Sequence, residues 1–203
     1  MSHVSPAASV SGKGAETHGL APSPHVVLVG LPGSGKTSVG RALAERLSRR
    51  FVDFDEEIER REGRSVSEIF AERGEAYFRA LEQRLTEEMR HTGGGMVLAP
   101  GGGWITVPAV VSLLRPPAAV IYLAARPVTA LSRMGRERDL RPLLAKPDPL
   151  VELERLWNDR RARYEAAADF VIDTEQLDVQ GVTDQVAAWL SLFQGNSVMP
   201  GGR

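Results

Sequence analysis

Residues 30–37 have the composition and spacing of a phosphate-binding loop. Their sequence follows the pattern G-x-x-x-x-G-K-[ST]: Gly30-Leu31-Pro32-Gly33-Ser34-Gly35-Lys36-Thr37. Glycines let the backbone curl so that its N–H groups point into one concavity, and the helix that follows adds the partial positive charge of its N-terminus. We predict that Lys36 reaches the β- and γ-phosphates of a nucleotide and that Thr37 contacts Mg²⁺. The predicted nucleotide contacts are Gly33, Ser34, Gly35, Lys36, Thr37 and Ser38.

Two carboxylates follow the next short apolar segment. Asp53 and Asp55 are two residues apart, so on a strand both would point to one side, with Val52 and Phe54 on the other. Ligands bind at the carboxyl ends of strands in open α/β sheets. We assign Asp53 to Mg²⁺, through water, because hard cations prefer oxygen ligands. We assign Asp55 to a substrate hydroxyl; the alternative is that Asp55 only caps a helix beginning at Glu56.

Two identical glycine triplets differ in position. Residues 93–95 precede a predicted strand and follow a helix, so helix termination explains them without any chemistry. Gly101, Gly102 and Gly103 follow a strand, at the edge where ligands bind, and their bare backbone allows N–H groups to approach a substrate closely. A simple turn is the alternative interpretation of this second triplet.

Arginine supplies most of the positive charge. Four arginines fall within nine residues: Arg133, Arg136, Arg138 and Arg141. Such a segment is usually a solvated loop, but opposite a phosphate loop a mobile arginine can contribute roughly 10³–10⁵ in rate. Arg79 and Arg160 stand alone in helical patterns. Each could form a surface ion pair or hold a carboxylate through two parallel hydrogen bonds.

The elements that must position these residues alternate along the chain. Short apolar segments predict five strands, at residues 25–30, 51–54, 96–99, 118–123 and 169–172. Helical patterns separate them, which predicts an α/β fold with a five-stranded parallel sheet. Ser65 and Glu68 have the spacing of a capping box, so a helix should begin near Ser65. A longer helix over residues 75–90 places Phe78, Leu81 and Leu85 on one stripe.

Composition excludes several classes of protein. The chain has 203 residues, no cysteine and a formal net charge of −1, which excludes disulfide scaffolds and argues against broad nucleic-acid or anionic-membrane binding. No apolar segment approaches the roughly 20 residues that span a bilayer. We expect a cytoplasmic protein with disordered tails at residues 1–24 and 194–203 and a single folded domain at residues 25–193.

Taken together, the motifs resemble the shikimate kinase family, in order and at similar spacings over about residues 25–175. They are residues 30–37, 51–55, Gly63 to Phe70, Gly74 to Arg79, Gly101 to Gly103, Arg141 to Leu144, and Arg160 with Tyr164. The resemblance implies a three-layer P-loop fold similar to that of nucleoside-monophosphate kinases. It also implies a helical substrate-binding region at about residues 55–91 and a closing lid at about residues 134–148.

The resemblance further implies the reaction, in which ATP with Mg²⁺ phosphorylates the 3-hydroxyl of shikimate on the route to chorismate and the aromatic amino acids. Carried over by position, the expected catalytic residues are Lys36, Asp55 and Arg141. Asp55 would hold the hydroxyls. The carboxylate would be held by Arg79 and Arg160, beside Gly101, Gly102 and Gly103. Arg141 would meet the γ-phosphate, Arg133 would lie against adenine, and Thr37 and Asp53 would hold the metal.

Two departures from the family pattern stand out. Trp104 follows the glycine triplet where relatives usually have a small residue, and residues 173–177 lack the arginine that often contacts adenine. The nearest alternative is another small-molecule P-loop kinase, such as a gluconate or nucleoside-monophosphate kinase. A nucleotide-dependent switch or motor is the alternative from another class, but it lacks its partner motifs here. We expect a monomer whose partners are ATP and shikimate.

Overall fold

The computed structural model describes residues 24–93, 95–135 and 147–196. Residues 1–23 and 197–203, which make up nearly all of the predicted tails, lie outside the described residues. Gly94, Arg136, Arg138 and Arg141 lie outside them too, as does most of the predicted lid. The assignments made for these residues stay predictions from the sequence.

The five predicted strands form one parallel sheet. The order across it is β2-β3-β1-β4-β5, with β1 in the middle, hydrogen-bonded to β3 on one side and β4 on the other. The predicted sheet is confirmed, with strand ends within one or two residues of those expected. The strands are β1 Val26–Val29, β2 Phe51–Asp53, β3 Val97–Ala99, β4 Ala119–Ala124 and β5 Phe170–Asp173.

Helices cover both faces of the sheet. They are α1 Lys36–Arg46, α2 Phe54–Glu62, α3 Val66–Arg90, α4 Pro108–Leu114, α5 Pro127–Met134, α6 Pro149–Ala167 and α7 Val179–Asn196, with a short 3₁₀ helix at Trp104–Thr106. Alternate residues of β1 enter separate cores, Val27 and Val29 on the α3 and α6 side, Val26 and Leu28 on the α1 and α7 side. A strand buried on both faces needs an uninterrupted apolar sequence, which explains the Val-Val-Leu-Val run. Among the described ranges, no helix is long and apolar enough to cross a bilayer.

The helical insertion between β2 and β3 is two helices, α2 and α3. Ser65 caps α3 as predicted, because its hydroxyl accepts from the Glu68 N–H while the Glu68 carboxylate accepts from the Ser65 N–H. The two predicted helical segments are joined in α3 across a break at Gly74, where φ is 78° and ψ is 169°. Only glycine adopts such a left-handed conformation at low cost, and this break sets the direction of the half of α3 that carries Arg79.

His25 fixes the start of the sheet from a buried position. Its Nδ1 accepts a hydrogen bond from the Met96 N–H at 3.1 Å, and its Nε2 donates to the Met89 carbonyl at 3.0 Å. The ring therefore joins the end of α3 to the beginning of β3 in its neutral form. Burial lowers the pKa of His25, and the positive charge of Arg49 acts in the same direction, whereas the bond to Met89 opposes them.

Acid should therefore weaken the fold through His25. Because the folded-state pKa is lowered, the unfolded chain binds the proton first as the pH falls below the ordinary value of 6.5. We expect the free energy of unfolding, measured by urea denaturation between about pH 7.5 and about pH 5.5, to fall towards acid. His25→Gln should flatten that slope, whereas His91→Gln, at the exposed end of α3, should not. An unchanged slope in His25→Gln would contradict the assignment.

Candidate active site

The phosphate loop lies between β1 and α1, where the sequence predicted it. Gly33 and Gly35 have φ values of 78° and 96°, which other residues rarely adopt. A Cβ atom on Gly33 would also lie 2.2 Å from the Ala130 carbonyl oxygen, so the loop closes tightly against α5. The Lys36 ammonium donates to the carbonyl oxygens of Gly30 at 3.0 Å and Leu31 at 2.9 Å, which holds the lysine over the loop.

Ser34 gives this loop an open hydrogen-bonding position. Its hydroxyl oxygen is buried and has no hydrogen-bond partner in the described part of the chain. Buried polar atoms are almost always paired, so an orphan beside curled backbone amides is a place for an acceptor such as a phosphate oxygen. The loop thus combines a lysine, a free hydroxyl and the N-terminus of α1 around one anion-binding concavity.

Thr37 and Asp53 form a contact that suits a hard cation. The Thr37 hydroxyl donates to Asp53 Oδ2 at 2.7 Å, which brings an alcohol and a carboxylate oxygen together beside the phosphate loop. Within the described ranges there is no cluster of three histidine or acidic side chains that could hold a metal. Two oxygen groups fit Mg²⁺, because that ion keeps several waters and takes further ligands from nucleotide phosphates.

The prediction that Asp53 and Asp55 point to one side of a strand is wrong. Strand β2 ends at Asp53, and α2 begins at Phe54, so Asp55 lies in the first helical turn and the alternation of a strand does not apply. The alternative that Asp55 caps this helix is also wrong. Asp53 is the cap, since its Oδ1 accepts from the N–H groups of Asp55 and Glu56. Both aspartates nevertheless line the same cavity.

That cavity, of about 380 Å³, joins the carboxyl ends of the three neighbouring strands β1, β2 and β3. Its wall includes the phosphate loop, the two aspartates and the first two glycines of the second triplet. The far end is lined by Arg133, Thr174, Leu177, Asp178 and Val179. The cavity therefore has a phosphate-binding floor, an acidic side near Asp55 and a mixed end between α5 and the residues after β5.

Arg79 reaches the glycine triplet from α3. Its guanidinium packs so closely on Gly103 that a Cβ there would lie 2.2 Å from Arg79 Nη2. Glu75 and Glu82 on the same helix both form ion pairs with Arg79, the former at 2.8 Å. These two ion pairs hold the planar guanidinium of Arg79 in one orientation against the triplet.

Glu82 is a site residue that the sequence reasoning missed. It is 2% exposed, pairs with Arg79 and accepts a hydrogen bond from the Gly101 N–H at 3.2 Å. Burial raises the pKa of Glu82; the Arg79 charge opposes this effect, while the negative charge of Asp55 adds to it. The available signal was its position, three residues before Leu85 on the apolar stripe of α3, where an acidic residue needs a partner.

Arg160 approaches the same triplet through Tyr164. Arg160 is 7% exposed on α6, one helical turn before Tyr164. Burial raises the pKa of the Tyr164 hydroxyl, and the positive charge of Arg160 opposes this larger effect. The Tyr164 hydroxyl lies 2.6 Å from the Gly102 carbonyl oxygen. Arg79 therefore stands beside Gly103, and neither arginine is among the residues that line the cavity. Both positive charges act on Tyr164.

The geometry agrees with comparisons to known proteins. The family model described as "Shikimate kinase" matches residues 32–191. A shikimate kinase of Burkholderia pseudomallei strain 1710b is 41% identical over 171 residues, which cover 84% of this chain and 92% of that protein. This chain belongs to the shikimate kinase family. A shikimate kinase of Symbiobacterium thermophilum is 43% identical over 163 residues, covering 80% of this chain and 93% of the relative.

Solved structures support the same family and fold. A shikimate kinase from Acinetobacter baumannii in complex with shikimate matches with a TM-score of 0.79 and 36% identity, covering 87% of this chain and 96% of that one. A gluconokinase from Sinorhizobium meliloti 1021 matches with a TM-score of 0.56 and 18% identity, covering 85% of this chain and 94% of that one. The second likeness shows only that the P-loop kinase fold is shared.

One departure of this shikimate kinase family member lies behind the site. Trp104 is 1% exposed in the 3₁₀ helix after the triplet, and its indole N–H donates to the Thr86 hydroxyl at 3.0 Å. Thr86 in turn donates to the Glu82 carbonyl at 2.7 Å. The large ring is thus part of the core under α3, and it is not among the residues that line the cavity.

The other departure concerns the loop after β5. Thr174 accepts two hydrogen bonds from Arg133 of α5, one on its hydroxyl at 2.9 Å and one on its carbonyl at 2.6 Å. The neighbouring Glu175 accepts from the Arg126 N–H and the Thr129 hydroxyl at the start of α5. Although the loop itself has no arginine, α5 places one against it at the edge of the cavity.

Removing the Glu82 charge should destabilise the protein. Glu82→Gln keeps the shape but loses the ion pair with Arg79, so we expect the free energy of unfolding to fall by about 1.5–3 kcal/mol, measured by urea denaturation. Glu88→Gln makes the same change on the same helix at an exposed pair with Arg61 and should cost less than about 0.5 kcal/mol. An equal loss of unfolding free energy in the two variants would contradict a stabilising role of the pair between Glu82 and Arg79.

Proposed function

We propose that this chain transfers the γ-phosphoryl group of ATP to the 3-hydroxyl of shikimate, giving shikimate 3-phosphate and ADP. The observation that carries the proposal is that one cavity joins the phosphate loop to Asp55 and the glycine triplet, while Arg79 packs on Gly103. Arg160 is buried one helical turn before Tyr164, whose hydroxyl contacts the Gly102 carbonyl. Membership of the shikimate kinase family and the likeness to a shikimate-bound structure support it. The reaction belongs to the synthesis of chorismate and the aromatic amino acids.

The acceptor side matches the chemistry of shikimate, a small ring with one carboxylate and three hydroxyls. Arg79 and Arg160 bind the carboxylate next to Gly101, Gly102 and Gly103. Asp55 accepts hydrogen bonds from ring hydroxyls, including the one that is phosphorylated. Such a ring offers little apolar surface, so recognition depends on paired polar groups, and the loss of one partner is costly.

The donor side uses the phosphate loop. Residues 33–38 cradle the phosphates, with Lys36 exchanging its contacts to loop carbonyls for contacts to phosphate oxygens. Thr37 and Asp53 hold Mg²⁺, which neutralises charge on the β- and γ-phosphates when it is bound. Arg133 lies at the end of the cavity proposed for adenine. Arg141, which lies outside the described residues, stays our prediction for the γ-phosphate.

The chemical step is an in-line displacement. The shikimate hydroxyl oxygen forms a bond to the γ-phosphorus while the bond to the bridging oxygen of ADP breaks, and the hydroxyl proton passes to the Asp55 carboxylate. Because the transition state is loose, positioning and charge neutralisation contribute more than a strong base. Glu82 is buried near Asp55, and its ion pair with Arg79 holds it there before the substrate binds.

We also propose that the enzyme works as a cytoplasmic monomer whose partners are the two small substrates, with no nucleic acid and no membrane. The near-balance of 25 basic and 26 acidic residues supports the absence of broad polyanion binding. Every proposed contact to either substrate comes from one chain, so the site does not depend on a second copy.

Replacing Asp55 should separate binding from chemistry. Asp55→Asn removes the group that orients the hydroxyl and accepts its proton, so we expect kcat to fall by roughly 10²–10⁴-fold. The dissociation constant of ATP, measured by calorimetry, should stay within about twofold because Asp55 is not a phosphate ligand. Glu56→Gln, an exposed neighbour paired with Arg41, is the matched control and should keep full turnover. Wild-type turnover in Asp55→Asn would refute the role.

The acceptor can be tested directly. A coupled assay of ADP release, run with shikimate, gluconate and the nucleoside monophosphates, should give strong turnover with shikimate alone. Gluconate carries its carboxylate and hydroxyls on an open chain, which loses more conformational freedom on binding than the shikimate ring does. The nucleotides need an apolar slot for a second base. Preferred turnover of gluconate or of a nucleoside monophosphate would replace our proposal with that kinase activity.

A further inference from the structure

The hydroxyl of Tyr164 lies at the junction of the two halves of the site and has no part in the chemical step above. The residue is 1% exposed, and its ring stacks on Tyr122 at 5.0 Å between centroids. Its hydroxyl lies 2.6 Å from the Gly102 carbonyl oxygen and 3.2 Å from the Gly30 carbonyl oxygen. The Gly102 carbonyl belongs to the second glycine triplet, and the Gly30 carbonyl belongs to the phosphate loop.

The two loops touch where this hydroxyl is placed. A Cβ on Gly102 would lie 3.2 Å from the Gly30 carbonyl oxygen, 3.2 Å from Pro32 Cδ and 3.4 Å from the Tyr164 hydroxyl. A shift of either loop therefore presses on the other or opens a gap, and it changes the hydrogen bond that Tyr164 makes. Packed contacts of this kind transmit displacement because protein interiors have few voids.

Each end of this junction continues to a charged group of the proposed site. On the acceptor side, buried Arg160 lies one turn before Tyr164 on α6, and its positive charge acts on the Tyr164 hydroxyl. On the donor side, the Lys36 ammonium donates to the same Gly30 carbonyl that Tyr164 approaches. A continuous set of contacts thus runs from Gly102 through Tyr164 and Gly30 to Lys36, with the charge of Arg160 acting on Tyr164.

Tyr164 has one proton for two carbonyls. Burial raises the pKa of its hydroxyl well above the usual range, so it stays protonated and remains a donor. At 2.6 Å the Gly102 carbonyl is the better acceptor, while Lys36 also serves Gly30. When Lys36 turns to nucleotide phosphates, Gly30 loses that donor, and the Tyr164 hydroxyl is within reach to replace it. The position of its proton therefore depends on both loops.

We propose that the Tyr164 hydroxyl is a positioning group that couples acceptor binding to nucleotide binding by holding the glycine triplet against the phosphate loop. The inference rests on the proposed function, since it takes shikimate and ATP as the two ligands. A ligand that fixes one loop also fixes the shared hydrogen bond, so the second ligand has less left to order and binds more tightly. By linkage, each ligand raises the affinity of the other by the same factor.

The test is a calorimetric binding cycle on the full chain with Mg²⁺. The dissociation constant of the non-hydrolysable β,γ-imido analogue of ATP is measured with and without saturating shikimate, and that of shikimate with and without the analogue. For wild type we expect each ligand to lower the dissociation constant of the other by a factor of about five or more. In Tyr164→Phe, which keeps the ring and its stacking, we expect this factor to fall below about twofold. Each ligand alone should still bind within about threefold of wild type.

Tyr122→Phe is the matched control. It removes the same atom from the stacked neighbour, whose hydroxyl interacts with Trp157 rather than with the two loops, and it should keep the wild-type factor. A merely structural effect of Tyr164→Phe would weaken both ligands alone, or lower the unfolding temperature, and leave the factor unchanged, which would overturn the proposal.

Measurements on the wild-type protein alone can already overturn the proposal. If it binds both ligands independently, with a factor of one, the coupling is wrong while the proposed function stands. If it binds the ATP analogue but not shikimate, both proposals are wrong. If it shows the factor and Tyr164→Phe loses it while Tyr122→Phe keeps it, the coupling is established.

Discussion

The parallel pairing of β2, β3 and β1 is the constraint on which the whole site depends. Because these strands are neighbours and run in one direction, the three segments that follow them meet at one edge of the sheet. The phosphate loop follows β1, the two aspartates follow or end β2, and the second glycine triplet follows β3. Donor and acceptor groups that are far apart in sequence are thereby placed around one cavity before any ligand arrives.

Buried charge is the second constraint, and it explains much of what surrounds the triplet. An arginine out of water is tolerated only when it is paired, and Arg79 is held by two carboxylates of its own helix. Glu82 meets the same requirement by contacting both Arg79 and the Gly101 amide. The cost of burying Glu82 is therefore met within the fold, by contacts that hold Glu82 and Arg79 in one arrangement.

The sequence predicts best where the physics is local. The phosphate loop needs left-handed glycines directly before a helix, and the cap at Ser65 needs only a glutamate three residues later, so spacing alone identified both. Asp55 was placed in the right cavity for a wrong reason, because periodicity does not show that a three-residue strand ends at Asp53. Glu82 was missed since its role comes from a contact between α3 and the loop after β3, which no local pattern contains.

At the end of the cavity between α5 and the residues after β5, the positive side chain is on the helix and not on the loop. The loop after β5 contacts α5 through its first two residues, Thr174 and Glu175. Arg133 reaches the loop and is anchored on Thr174 at two atoms, which restricts its guanidinium to the cavity edge. Glu175 accepts hydrogen bonds from the start of the same helix, where a negative carboxylate is also stabilised by the positive end of the helix dipole. Helix and loop are therefore held together as one unit, and the guanidinium of Arg133 lines this end of the cavity although the loop has no arginine of its own.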